Sequence, residues 1–238
     1  MPSRKIFHML FRGFAKHLLP LLLLTACATI TTPTPDYGPD AVVKTLSSAV
    51  SLSIHSTENS MGGSGYLVFR RPDQLHLVVL SPFGTTLMEA FALGNNITLI
   101  YPSQSTAYVG RFEELPDKGG LQGWRLMGWV MDADPCQGKP LSETVERIGK
   151  LGVSEKVTYE HGLVTAKVSR AGNQAYYSKY SIVNGVPVAA ELDLRNSRED
   201  RILITLEEPE VNSRLDDAVF VPHLDGLTVL PLAALKGL

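Results

Sequence analysis

The sequence predicts a mainly β domain with a helical insertion, an α+β fold built on antiparallel strands. Three observations predict it. Short apolar segments recur along the chain, many with period-two alternation. The stretches between them, such as RPDQ, SPFG, LGNN, PSQS, EHG and VNGVP, carry turn chemistry. No strand is followed at the right spacing by a helix and a second strand, which argues against a parallel sheet.

Taken in order, residues 40–50, DAVVKTLSSAV, predict a helix, because Val42, Val43, Leu46, Ala49 and Val50 share one helical face. Six strands are predicted at 50–57, 64–71, 75–81, 85–93, 96–101 and 106–112. Residues 113–150 break the β rhythm and predict short helices and loops, with Ser142 as an N-cap in PLSETVERIGKLG. Five more strands follow at 153–160, 162–169, 175–183, 187–194 and 201–208, which makes eleven. In LHLVVL, Leu75, Leu77 and Val79 share one face, and in the next strand Leu87, Phe91 and Leu93 share another. The early strands are apolar on both faces. A sheet wrapped round a lipid-binding hollow and a sheet wrapped round a filled core both produce that signature.

Ser81-Pro82-Phe83-Gly84 is a type I turn by its residues: Ser first, Pro second, Gly fourth. Hairpin tips normally face water, so a phenylalanine there is unexpected. It either projects outward or folds back under its own sheet.

The beginning of the chain carries an address. Arg4, Lys5, Arg12 and Lys16 open it with no acid among them. Leu18 to Leu24 form an apolar run well short of the ~20 residues that span a bilayer, as expected for a signal peptide. The run ends Leu24-Thr25-Ala26-Cys27, which resembles the lipobox of bacterial lipoproteins. The resemblance implies cleavage after residue 26 and lipidation of Cys27, with a membrane as partner through that lipid. Ala28 in the next position implies the outer membrane and its periplasmic face. Loss of 26 of the 238 residues leaves 212, and loss of four cations with them takes the net charge from −2 to −6. That balance argues against a nucleic-acid partner. Residues 27–39 read as a Thr/Pro tether and 40–238 as one domain. Cys136 would then be the lone thiol, with no charged motif around it to activate it.

Reactive chemistry is sparse. His55, His76, His161 and His223 are scattered without metal-ligand spacing, so no metal is expected. Gly62-Gly63-Ser64-Gly65 fits neither a nucleophile elbow nor a phosphate loop. Asp132 and Asp134 read as solvated loop acids, and Glu207, Glu208 and Glu210 as a solvated strand end. No enzyme and no cofactor are expected.

Three phrases carry a family resemblance: Phe69-Arg70-Arg71-Pro72, Ser81-Pro82-Phe83-Gly84, and Gly94-Asn95-Asn96-Ile97-Thr98-Leu99-Ile100-Tyr101. With Arg214-Leu215-Asp216-Asp217-Ala218-Val219-Phe220 near the end, they resemble the LolA/LolB-like lipoprotein-localisation superfamily. The resemblance implies an unclosed antiparallel β-barrel of about eleven strands with a helical lid over a cavity for acyl chains. The lipobox favours its lipid-anchored receptor branch, whose partner is a LolA-like periplasmic carrier. By position, Arg71 matches an arginine that hydrogen-bonds within the cavity. Phe83 matches an apolar hairpin residue that delivers cargo to the membrane. Leu77, Val79, Leu87 and Phe91 are expected to line the cavity, and Trp124, Met127, Trp129 and Met131 to belong to the lid. Two other functions share this fold: binding of another lipid or glycolipid, and an envelope sensor or scaffold that binds a protein.

Overall fold

The computed structural model describes residues 37–38, 41–56, 60–115, 126–135, 142–149, 152, 154–197 and 200–235. The chain divides into Met1–Thr34 and Pro35–Leu238, and every described residue belongs to the second unit. The expected signal peptide, Cys27, Trp124 and Cys136 lie outside the described residues.

Thirteen strands form one sheet: β1 (Thr45–His55), β2 (Ser60–Arg70), β3 (Gln74–Leu80), β4 (Thr86–Leu93), β5 (Asn96–Tyr101), β6 (Thr106–Arg111), β7 (Thr144–Ile148), β8 (Ser154–Glu160), β9 (Leu163–Ser169), β10 (Gln174–Val183), β11 (Val186–Arg195), β12 (Arg201–Val211) and β13 (Thr228–Pro231). Their spatial order is β13-β6-β5-β4-β3-β2-β1-β12-β11-β10-β9-β8-β7. Neighbours are antiparallel except β13, which runs parallel to β6. The two edges, β13 and β7, do not pair, so the sheet is unclosed. All eleven expected strands are present.

The sheet wraps around its own inner face. Strands lie ~4.8 Å apart, so thirteen laid flat would hold their outer members far from one another. Yet Leu77 of β3, Ile97 of β5, Tyr159 of β8, Val164 of β9 and Ile204 of β12 belong to one buried cluster. The short helix α1 (Met127–Val130) lies in that cluster through Met127, Trp129 and Val130.

Three expectations are corrected. The strand begins at Thr45, so residues 45–50 are strand and not the end of a helix. The apolar positions there satisfy a period of two as well: Leu46, Val50 and Leu52 are buried, and Ser51 is exposed. The alternation is hard to see because a polar residue, Ser48, holds one of the buried positions; the pairing shift between Ser47 and Ala49 places the extra residue on β12, where Glu208 adopts φ +50°. Ser48 is itself buried and its hydroxyl donates to the carbonyls of Ala49 and Glu207, which saves the cost of burying it. Second, Thr144–Ile148 is an edge strand rather than a helix, and Ser142 caps nothing: its Oγ accepts from His161 N at 3.0 Å. Val145 and Arg147 turn inward while Thr144, Glu146 and Ile148 face out, a strand pattern too short to announce itself. Third, the helical lid is slight. Among the described residues α1, with four residues, is the only α-helix.

A second, smaller apolar cluster lies on the outer face. Phe91, Ile100 and Ala107 are buried there beneath Leu224 and Leu227 of the segment that leads to β13. Arg70 fastens the same segment. It pairs with Asp217 at 2.7 Å and stacks over the Phe220 ring at 4.6 Å.

Candidate functional site

The β3–β4 hairpin ends in the expected turn. Gly84 N donates to Ser81 O at 2.9 Å, and Gly84 adopts φ +79°, which glycine tolerates without strain. Ser81 Oγ accepts from the backbone of Phe83 and of Thr85, both at 3.2 Å, so one serine organises the whole tip. With the turn locked, the ring of Phe83 points into solvent and the residue is 94% exposed. A bulge between Val79 and Leu80 also leaves Leu87 exposed beside it.

The strand register decides which side chains face the interior. Leu75, Leu77 and Val79 stand opposite Ala92, Ala90 and Met88, and these form the inner face. His76 and Val78 stand opposite Phe91 and Glu89 on the outer face. The expectation that Leu87 and Phe91 line the interior is therefore corrected. The alternation within β4 was right, but both faces of that strand are apolar, and the inward one carries Met88 and Ala90. Phe91 is buried outside instead, stacked on the His76 ring at 4.0 Å.

Two hollows open along the inner face. One, of about 380 Å³, is walled by Phe69, Leu75, Ala92, Phe112 and Met127. Its mouth lies among Pro72, Asp73, Gly94, Asn95 and Glu113, at the opposite end of β3 from Phe83. This volume is within the ~300–1,000 Å³ range of small-molecule pockets, and its walls are apolar. The other, about 50 Å³, lies between Arg71, Met131, Asp134, Tyr177, Val188 and Leu206. Leu77, Val79, Met127 and Trp129 lie in the inner buried cluster with Met131 packed against it, and Arg71 borders the smaller hollow.

A buried polar network fastens α1 to the second half of the sheet. Lys167 of β9 is wholly buried and donates to the carbonyls of Trp129 and Asp132, both at 2.9 Å. A cation at the C-terminal end of a helix is where the backbone dipole favours it. Lys167 Nζ also meets Glu155 Oε2 at 3.0 Å. Glu155 in turn accepts from Trp129 Nε1 at 2.5 Å and from Arg147 Nε at 2.7 Å. Tyr177 donates to Val130 O at 2.8 Å. Arg71 reaches over from the β2–β3 turn: its Nε donates to Val43 O and its two terminal nitrogens to the carboxylate of Asp134. Desolvation lowers the Lys167 pKa, against the raising pull of Glu155. Burial raises the Tyr177 hydroxyl well above its ordinary value.

This network corrects the reading of Asp132 and Asp134 as solvated loop acids. Asp132 is buried, and Asp134 holds Arg71. Glu155, Lys167 and Arg147 were not anticipated at all. The signal existed: Glu155 and Lys167 occupy inward positions on adjacent strands, where apolar residues belong. Charges placed there must find partners.

No family model matches the sequence, and no curated protein matches it. Solved structures do resemble it in fold. A DUF1329 family protein from Desulfovibrio piger superposes with a TM-score of 0.53 at 12% identity, covering 75% of this chain and 90% of its own. A LolA superfamily protein from Nitrosomonas europaea gives 0.51 at 10% identity, with 79% and 93% covered. A domain described as an outer membrane lipoprotein-sorting protein, from Vibrio parahaemolyticus, gives 0.50 at 10% identity, with 76% and 91% covered. The fold is thus of the LolA type. Among the described residues no helix is long and apolar enough to cross a membrane.

Proposed function

We propose that this chain is a lipid-anchored acceptor of acylated lipoproteins, which takes acyl chains onto its inner face and passes them into the outer membrane. The observation that carries the proposal is Phe83. It is a large apolar ring, 94% exposed, on a tip whose turn is fixed by hydrogen bonds. Burying such a ring in a lipid surface is worth ~1.5–3 kcal/mol, enough to bias a docking step and too little to anchor a protein. Anchoring falls to a lipid on Cys27, and transfer follows apolar burial without any covalent step. The LolA-type fold supports the reading, as does the 380 Å³ apolar hollow. The partner that hands over cargo would be a LolA-like carrier.

The experiment is Phe83→Glu in the full-length protein, supplied to cells depleted of their own lipoprotein receptor. A side chain in water contributes little to stability, so the melting temperature should hold within the equivalent of ~0.5 kcal/mol. Incorporation of a test lipoprotein into the outer membrane should collapse. Normal incorporation by the variant would sink the proposal.

A further inference from the structure

The larger hollow has a feature that an acyl-chain site does not require: an acidic mouth. Its walls are apolar, but Asp73 and Glu113 stand at its rim. Glu113 is engaged, accepting from Asn95 Nδ2 at 2.9 Å and pairing with Arg111 Nε at 3.5 Å. Asp73 is different. It sits half-buried in the β2–β3 turn against Gly94, and among the described residues no cation stands on it. A carboxylate beside an apolar hollow repels any anionic head whose tail enters there and attracts a cationic one.

We infer that this hollow binds an alkyl chain headed by a primary ammonium, with the tail against Leu75, Ala92 and Met127 and the head on Asp73. The inference rests on the lipid-binding reading above and adds the head group to it. The geometry fits. Leu75 lies two residues beyond Asp73 on β3, so its buried side chain begins one strand step below the rim. Ala92 pairs with Leu75 across β4 and leaves the width that a larger side chain would fill. Fatty acids and phospholipids carrying a phosphate next to the chain are disfavoured by the same carboxylate.

The full-length protein in nanodiscs of neutral phosphatidylcholine tests this. Three amphiphiles of equal chain length carry a diazirine near the tail end and an ammonium, a carboxylate or a neutral sugar as head. After illumination, labelling is read by mass spectrometry on the peptides containing Leu75 and Met127. The ammonium probe should label about five-fold more than the carboxylate probe, the scale expected of one partly solvated charge contact. Asp73→Asn should bring the three probes to within about two-fold of one another. Ala92→Trp, checked for an intact β spectrum by circular dichroism, should abolish labelling by all three. Equal labelling by all heads, or a preference for carboxylate, overturns the head-group inference and leaves lipid binding standing. Labelling no greater than in Ala92→Trp with every probe overturns both.

Discussion

Removing Glu155 should damage the protein more than removing Lys167, although the two are ion-pair partners. In Lys167→Met, Glu155 keeps Arg147 Nε at 2.7 Å and Trp129 Nε1 at 2.5 Å, so its charge remains compensated. The loss is of the donors on the Trp129 and Asp132 carbonyls, the pair with Glu155 and the ammonium over the Trp129 ring, and breaking a buried pair sets the scale at ~3 kcal/mol. In Glu155→Leu, the Lys167 ammonium, the Arg147 guanidinium and the Trp129 indole N–H lose their shared acceptor together. The cost should approach ~5 kcal/mol. For a domain of about this size each kcal/mol moves the midpoint by ~2–4 °C, so the variants should separate clearly in thermal melts and in urea. A second signature follows from the sign of the Lys167 shift. Burial already holds its pKa below the ordinary value, and Glu155 is the main influence pulling it back up. Without Glu155 the folded pKa falls further. The unfolded chain then binds more protons over the window between the two values, so stability rises with pH there. Glu155→Leu should therefore recover part of its loss as pH rises toward the ordinary lysine value. Equal destabilisation of the two variants, or a flat pH dependence in Glu155→Leu, would refute this account of the latch.

Two further outcomes check the packing and the electrostatics. Leu77→Ala, at a buried inner position, should cost ~2–5 kcal/mol in urea unfolding, whereas Leu87→Ala on the exposed tip should fall within ~0.5 kcal/mol of the parent. Desolvation works against the charged form of Asp193, but hydrogen bonds from Arg195 and Arg201 prevail and hold its pKa below the usual carboxylate value. Its contribution is therefore present above the unfolded pKa and lost as pH falls through the folded one. Asp193→Asn should cost ~1 kcal/mol near neutrality and flatten the acid limb of a stability profile below about pH 4.

The strands were legible where turn chemistry bounded them. Asn184-Gly185 and Ser81 to Gly84 mark hairpins by residue type alone, and the chain obeys them. What stayed hidden depends on partners distant in sequence. Residues 45–50 satisfy a helical period and a strand period at once, and pairing with β2 and β12 decides between them. Thr144–Ile148 becomes a strand because β8 offers it an edge. The turn at Ser81 to Gly84 was legible, but it left open whether the Phe83 ring projects outward or folds back; the structure places it in solvent. The inward aim of Asp132 was not, because its burial follows from the position of α1 against β9, whose Lys167 is thirty-five residues away. The interior positions of β4 were ambiguous for a similar reason: a segment near the end of the chain covers Phe91 from outside.

The proposed anchor must also reach the surface that the tip touches. Tyr37 is fastened at the far end of the sheet, where its hydroxyl donates to His161 O at 3.0 Å in the β8–β9 turn. Phe83 lies at the other end. β3 alone, with seven residues, separates the two ends by ~23 Å. Ten residues run from Cys27 to Tyr37, and fully extended they span at most ~36 Å. A lipid on Cys27 can therefore share one membrane surface with the Phe83 ring, but with little slack. Deleting residues 30–34 leaves five steps from Cys27 to Tyr37 and a reach of ~18 Å, short of the sheet's length. That deletion should leave the melting temperature and membrane attachment unchanged while lowering lipoprotein incorporation as severely as Phe83→Glu. Replacing the same five residues with Gly and Ser should preserve incorporation, since length and not composition carries the effect. Full incorporation by the deletion variant would mean that the tip and the anchor need not meet the same bilayer.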